Sequence, residues 1–176
     1  MGRWNARHYP TRHAAIAHDG FASPQRILPR AVAAAALVAG SLDLLFAFGF
    51  WGLHGVGPAR ILQSIAAGWL GRADAMAGGP ATAALGLVSH YGIVLAMAWV
   101  YYRVARVWTT LAQRPWLYGA LYGIVLFAVM TWVVVPLSAA GDGQLPRWQA
   151  SFPLHIAVHM LLLGVPCALG ARRALR

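Results

Sequence analysis

Four apolar windows, each close to the length that crosses a bilayer, leave this chain few folds to adopt. A hydrocarbon core of roughly 30 Å needs about 20 apolar residues in a helix, because each backbone N–H and C=O within it must be satisfied inside the segment. The first window, residues 31–53, begins after Pro29-Arg30, stops before His54-Gly55 and holds one charge, Asp43. The second, 81–102, follows the breaker Gly78-Gly79-Pro80 and contains His90. The third, 116–138, follows Arg114-Pro115. The fourth, 152–171, contains His155, His159 and Cys167 and is ended by Arg172-Arg173. These windows predict an all-α integral membrane four-helix bundle.

Composition points the same way. Sixty per cent of the 176 residues are hydrophobic and 10% charged, against about 25% charged in soluble domains. The net charge of +10 comes from 14 arginines set against 4 aspartates, with no Lys or Glu. The arginines form no continuous basic face, which argues against nucleic acid as a partner. They sort by side instead. Arg3, Arg7, Arg12, Arg26, Arg30, Arg103, Arg106, Arg114, Arg172, Arg173 and Arg176 lie on one side of the alternating spans, and Arg60, Arg72 and Arg147 on the other. By the positive-inside rule both termini are expected in the cytoplasm of a cell with a bacterial inner membrane. Trp51, Trp99, Tyr101, Tyr102, Trp108, Trp116 and Trp148 fall near predicted span ends, where aromatic side chains favour the interface; Trp132 is well inside the third span.

Residues 1–30 are basic, carry His8, His13 and His18 and show no apolar periodicity, so they read as a disordered cytoplasmic tail. A cleaved signal peptide is disfavoured, because the apolar run that follows exceeds the length of a signal core. Residues 58–71, PARILQSIAAGWLG, place Ile61, Leu62, Ile65, Trp69 and Leu70 at helical spacing behind Pro58. Too short to span, they predict an interfacial or re-entrant helix with Arg60, Gln63 and Arg72 toward water and the apolar stripe toward lipid or the bundle, a packing element or a lid over a cavity.

Ionisable side chains inside a span cost about 2.5–3.5 kcal/mol on insertion scales, so each is expected to face the protein interior with a partner. Asp43 and His90 sit near the midpoints of their spans, and His159 lies just outward of the middle of its own. The three are expected to meet at one depth, through an Asp–His hydrogen bond or ion pair. His155, one turn before His159, shares its face. The cluster reads either as a structural device that holds helix register or as a proton or small-solute relay. The alternative is a cofactor site: a b-type haem held by His90 and one of His155 and His159, or a metal on His155 and His159 completed by His90 and Asp43. No cofactor is the primary expectation.

Gly119 and Gly123 form a GxxxG, and Gly164 with Ala168 repeats the small-xxx-small spacing, so close helix contacts are expected there, within one chain or between copies. Pro136 and Pro166 predict kinks. Asp74 and Asp142 read as solvated loop residues, and Cys167 as a small apolar residue. No nucleotide loop, nucleophile elbow or zinc-protease motif is present, so no enzymatic activity is expected. The expected partner is the lipid bilayer; a homo-oligomer, a protein partner and a small solute remain open alternatives.

Read in order, Gly40-Ser41-Leu42-Asp43, the 58–71 segment, Ala84-Leu85-Gly86 through His90-Tyr91, Tyr118-Gly119-Ala120-Leu121-Tyr122-Gly123, and His159-Met160 with Gly164 and Pro166 resemble an uncharacterised family of small four-span bacterial inner-membrane proteins, similar in plan to YagU-type proteins. That resemblance covers about residues 31–173 and implies a four-helix membrane protein of unknown function, with no catalytic residues to carry over.

Overall fold

The computed structural model describes residues 29–176. The basic segment read as a cytoplasmic tail, with His8, His13 and His18, lies outside the described residues. Four helices are long and apolar enough to cross a membrane: α1 (Arg30–Gly52), α4 (Gly79–Val107), α6 (Pro115–Leu137) and α7 (Phe152–Ala174). Between the first two lie the short α2 (Pro58–Leu70) and α3 (Arg72–Ala77), and α5 (Thr110–Gln113) links α4 to α6. The helices form a bundle in which Arg30, α5 and Ala174 occupy one end, and α2, α3 and the 138–151 connection occupy the other.

Prolines open four of the helices without loss. Pro58, Pro80, Pro115 and Pro153 stand in first turns, where the missing N–H would have had no intrahelical acceptor. Glycine is needed where the chain turns left-handed: Gly71 (φ 81°) breaks α2 from α3, and Gly79 (φ 60°) begins α4.

The fourth spanning helix is the axis of the bundle. Its most apolar stretch is 44% buried against 17–28% for the other three, and it packs on α1, α4 and α6. Small residues set those distances. A Cβ at Gly123 would collide with the backbone of His159 and Met160, one at Gly164 with the backbone of Gly119, and one at Gly170 with the Ala35 side chain. Gly119, Gly123 and Gly164 therefore do form a close helix contact, and it is internal, between α6 and α7. Tyr122, in the same motif, turns the other way and donates its hydroxyl hydrogen to the Met97 carbonyl of α4 at 2.9 Å while its ring meets Tyr101 edge-on. The remaining faces of the spans are apolar and uncovered: Leu37, Leu45, Val88, Leu121, Val125 and Leu161 are all exposed, a surface suited to a lipid environment.

The distortions expected at Pro136 and Pro166 take a particular form. Each follows a π-helical turn, Met130–Val134 in α6 and His159–Gly164 in α7. Proline lacks the N–H that the carbonyl four residues earlier would accept and its ring crowds that oxygen, and a widened turn relieves the crowding.

The short α2 does lie between the first two spans, with Arg60 and Arg72 exposed as expected, but one residue departs from expectation. Gln63 is buried, not turned to water. Its amide donates to the Gly79 carbonyl at 3.1 Å, beside Thr82, whose hydroxyl donates to the Ala75 carbonyl at 2.7 Å. Helix α2 presses so closely on α4 that a Cβ at Gly86 would overlap the Leu62 carbonyl. The small residues Ala66 and Ala67, with Ile61, form the buried face, while Trp69 and Leu70 stay exposed and Trp69 donates its indole N–H to Ser89 at 2.9 Å. Packing distance explains which residues are inside: the face that approaches Gly86 is built mainly from small side chains, and Trp69 and Leu70 are left outward.

Candidate functional site

Three spans bring Asp43 and the histidines into one region. At the α1–α4 contact the ring of Tyr91 covers Gly40, where a Cβ would sit 2.9 Å from the ring, and Tyr91 OH lies 2.9 Å from Ser41 Oγ. The buried His90 donates Nε2–H to the Gly40 carbonyl at 2.9 Å. The motifs Gly40-Ser41-Leu42-Asp43 and His90-Tyr91 are therefore two halves of one contact, and Asp43 projects from the helix a turn beyond it.

On α7 the two histidines bond along their own helix. His155 Nδ1 donates to the Ser151 carbonyl at 2.8 Å and His159 Nδ1 to the His155 carbonyl at 2.9 Å. A carbonyl oxygen can only accept, so the proton of each neutral ring is on Nδ1 and Nε2 carries the free lone pair. For His90 the assignment is reversed: Nε2 is spent on Gly40 and Nδ1 is left to accept.

The direct Asp43–His bond that the midplane positions suggested does not form. Asp43 interacts electrostatically with His159, His90 and His155, yet among the described residues it makes no hydrogen bond or ion pair with any of them. Each imidazole is instead satisfied by a backbone carbonyl within reach of its own rotamer. A carboxyl group half-buried between apolar helices thus has three imidazoles within electrostatic range and no direct bond to any of them.

Between α6 and α7 lies a cavity of about 280 Å³ that runs from Gln149 and Ser151, at the α2 end, inward to His155 and His159. Thr131 and Met130, from the π turn of α6, line its other wall. On the opposite wall His159 begins the widened turn of α7, and such turns are frequent at functional sites. Aromatic rings frame the histidines. Phe50 and Phe46 meet His155 edge-on at 5.0 and 5.8 Å, and Phe127 meets His159 at 5.4 Å. Trp132, out of place at mid-span by sequence, packs edge-on against Phe127 and Phe152 and so belongs to this frame. Sequence reading missed the frame, although Phe46 and Phe50 of α1 and His54 in the turn after it recur every four residues, as His155 and His159 do on α7; His54 Nδ1 donates to the Phe50 carbonyl at 2.8 Å in the same manner.

Among the described residues no three His, Cys, Asp or Glu side chains converge as ligands of one metal ion. His90, required by both cofactor arrangements, has its Nε2 committed to Gly40. Comparison of the chain with protein-family models, with curated proteins and with solved structures found no match.

Proposed function

We propose that this chain is a non-enzymatic multi-pass protein of a bacterial inner membrane, with both termini cytoplasmic, that passes protons across the membrane by way of His155, His159 and Asp43. The observation that carries the reading is the cavity that leads from Gln149 and Ser151 to His155 and His159, with Asp43 within electrostatic reach beyond them. His90 does tie α4 to α1 through the Gly40 carbonyl, but Asp43 joins no such bond, so the cost of placing its carboxyl group in a span is not repaid by a helix–helix hydrogen bond.

The chemistry is constrained by the tautomers. A proton arriving through water in the cavity adds to Nε2 of His155 or His159 and makes an imidazolium. Because Nδ1–H stays on a backbone carbonyl, the proton leaves from the nitrogen it reached, passing through water to the next Nε2 or to the Asp43 carboxylate. The rings therefore act as stepping stones.

In liposomes with an internal pH dye, Asp43→Asn is expected to lower proton flux about a hundredfold, in the range by which positioned acid–base groups act, while circular dichroism and elution stay unchanged. Flux equal to wild type in a folded Asp43→Asn variant, or none in the wild type, defeats the relay. Orientation has its own test. Alkaline phosphatase fused after Gly143 is expected to be active, and an inactive fusion of normal abundance would reverse the topology.

A further inference from the structure

The end of the bundle that carries Arg30 and Arg176 holds a groove of about 930 Å³ between α1 and α7, which the relay does not use. Its rim bears four guanidinium groups: Arg30 from the start of α1, and Arg172, Arg173 and Arg176 from the last turn of α7 and the residues after it. No Asp or Glu side chain lines it, and the aspartates among the described residues lie elsewhere, Asp43 in mid-span and Asp74 and Asp142 at the opposite end. The wall changes character with depth. Val38 stands two helical turns below Arg30, about 12 Å along the axis, and Leu169 and Pro166 stand one to two turns below the arginines of α7. Ala31, Ala35 and Gly170 bring the two helices together at its base.

A basic rim above an apolar wall that runs along the helix axis matches one kind of molecule. We propose that the groove binds a single anionic glycerophospholipid of the adjoining leaflet, with its phosphodiester held by the arginines and an acyl chain lying along Val38, Pro166 and Leu169. Arginine suits the task because its planar donors pair two at a time with phosphate oxygens and its charge is permanent. A free phosphate would match the rim but would leave the apolar length of the groove uncovered. The inference depends on the membrane assignment and not on the relay, so loss of the one leaves the other standing.

The test uses the full chain in nanodiscs of phosphatidylcholine doped with phosphatidylglycerol, with retained lipids counted by native mass spectrometry. Wild type is expected to keep one phosphatidylglycerol in preference to phosphatidylcholine. Combined Arg172→Gln, Arg173→Gln and Arg176→Gln should reduce that preference by at least about tenfold. Val38→Trp should reduce it similarly by filling the groove with every charge in place, and since Val38 is exposed the variant does not disturb the core. Combined Arg103→Gln, Arg106→Gln and Arg114→Gln removes equal charge at the same end and should leave the preference intact. Equal loss in this control would show diffuse attraction and overturn the site. So would displacement of the lipid by millimolar inorganic phosphate, or absence of preference in the wild type, the result expected if another part of the chain fills the groove.

Discussion

Gly123→Leu is expected to part α6 from α7 and to destabilise the bundle by about 3 kcal/mol or more, read as loss of folded protein in a denaturing-detergent titration. Inserting methylene groups into a packed core typically costs about 1–3 kcal/mol when side chains can shift. Here the obstacle is backbone: a Cβ alone would overlap the His159 carbonyl and the Met160 Cα. Those atoms belong to the π turn of α7, itself shaped by Pro166, so the helix has little freedom to withdraw. Gly119→Leu meets Val165 Cα and the Ala168 side chain and should act in the same direction, less severely. Gly92→Ala is the control. No atom lies within 4 Å of its added methyl, and exchanging glycine for alanine in a helix interior favours the helix by about 1 kcal/mol. If Gly123→Leu and Gly92→Ala melt alike, the α6–α7 contact is not what holds the bundle.

The second large effect is expected at His159. His159→Phe keeps a planar ring against Phe127 but removes both nitrogens, so packing is preserved while proton acceptance is lost. Proton flux should fall about a hundredfold, with stability lowered by only about 1 kcal/mol for the Nδ1–H bond to the His155 carbonyl. His155→Phe should reduce flux less, because His159 itself lines the cavity together with Gln149, Ser151 and Thr131 and would remain open to it. A folded His159→Phe variant that carries protons like wild type would remove His159 from the path and restrict any relay to His155 and Asp43. A variant that melts far below wild type would show instead that the ring is structural.

Much of the architecture could be read from the chain. The spans predicted at 31–53, 81–102, 116–138 and 152–171 match the helices to within a few residues, apart from an α4 that runs on to Val107, because hydrophobic length and breaker residues are local properties. Gly119, Gly123 and Gly164 were likewise legible as close-packing positions, since a small-residue spacing of four places them on one helix face. That the contact is internal was not legible, for the same spacing serves a second copy equally well. The α2 helix shows the limit more sharply. Its apolar stripe at Trp69 and Leu70 was visible, but which face is buried depended on Gly86 of a different helix, and Gln63 found its partner in the Gly79 carbonyl only after the turn at Gly78 and Gly79 had formed.

The candidate site divides along the same line. The candidates were legible in the sequence: Asp43, His90, His155 and His159 are conspicuous because charge and imidazole are costly in a span. Their bonding was not. Hydropathy places side chains at a depth but does not say how an imidazole resolves its hydrogen bonds, and in this fold His155 and His159 reach carbonyls of their own helix while His90 reaches Gly40. By itself the chain determined four spans, their breaks and the polar residues within them, because these follow from what each short segment can tolerate in an apolar solvent. Tertiary structure alone decided that α7 is the axis, that α2 is packed with Gln63 inward, and that Asp43 faces histidines without bonding to them. Those outcomes depend on how closely separate helices approach, a distance set jointly by glycines and carbonyls far apart in sequence.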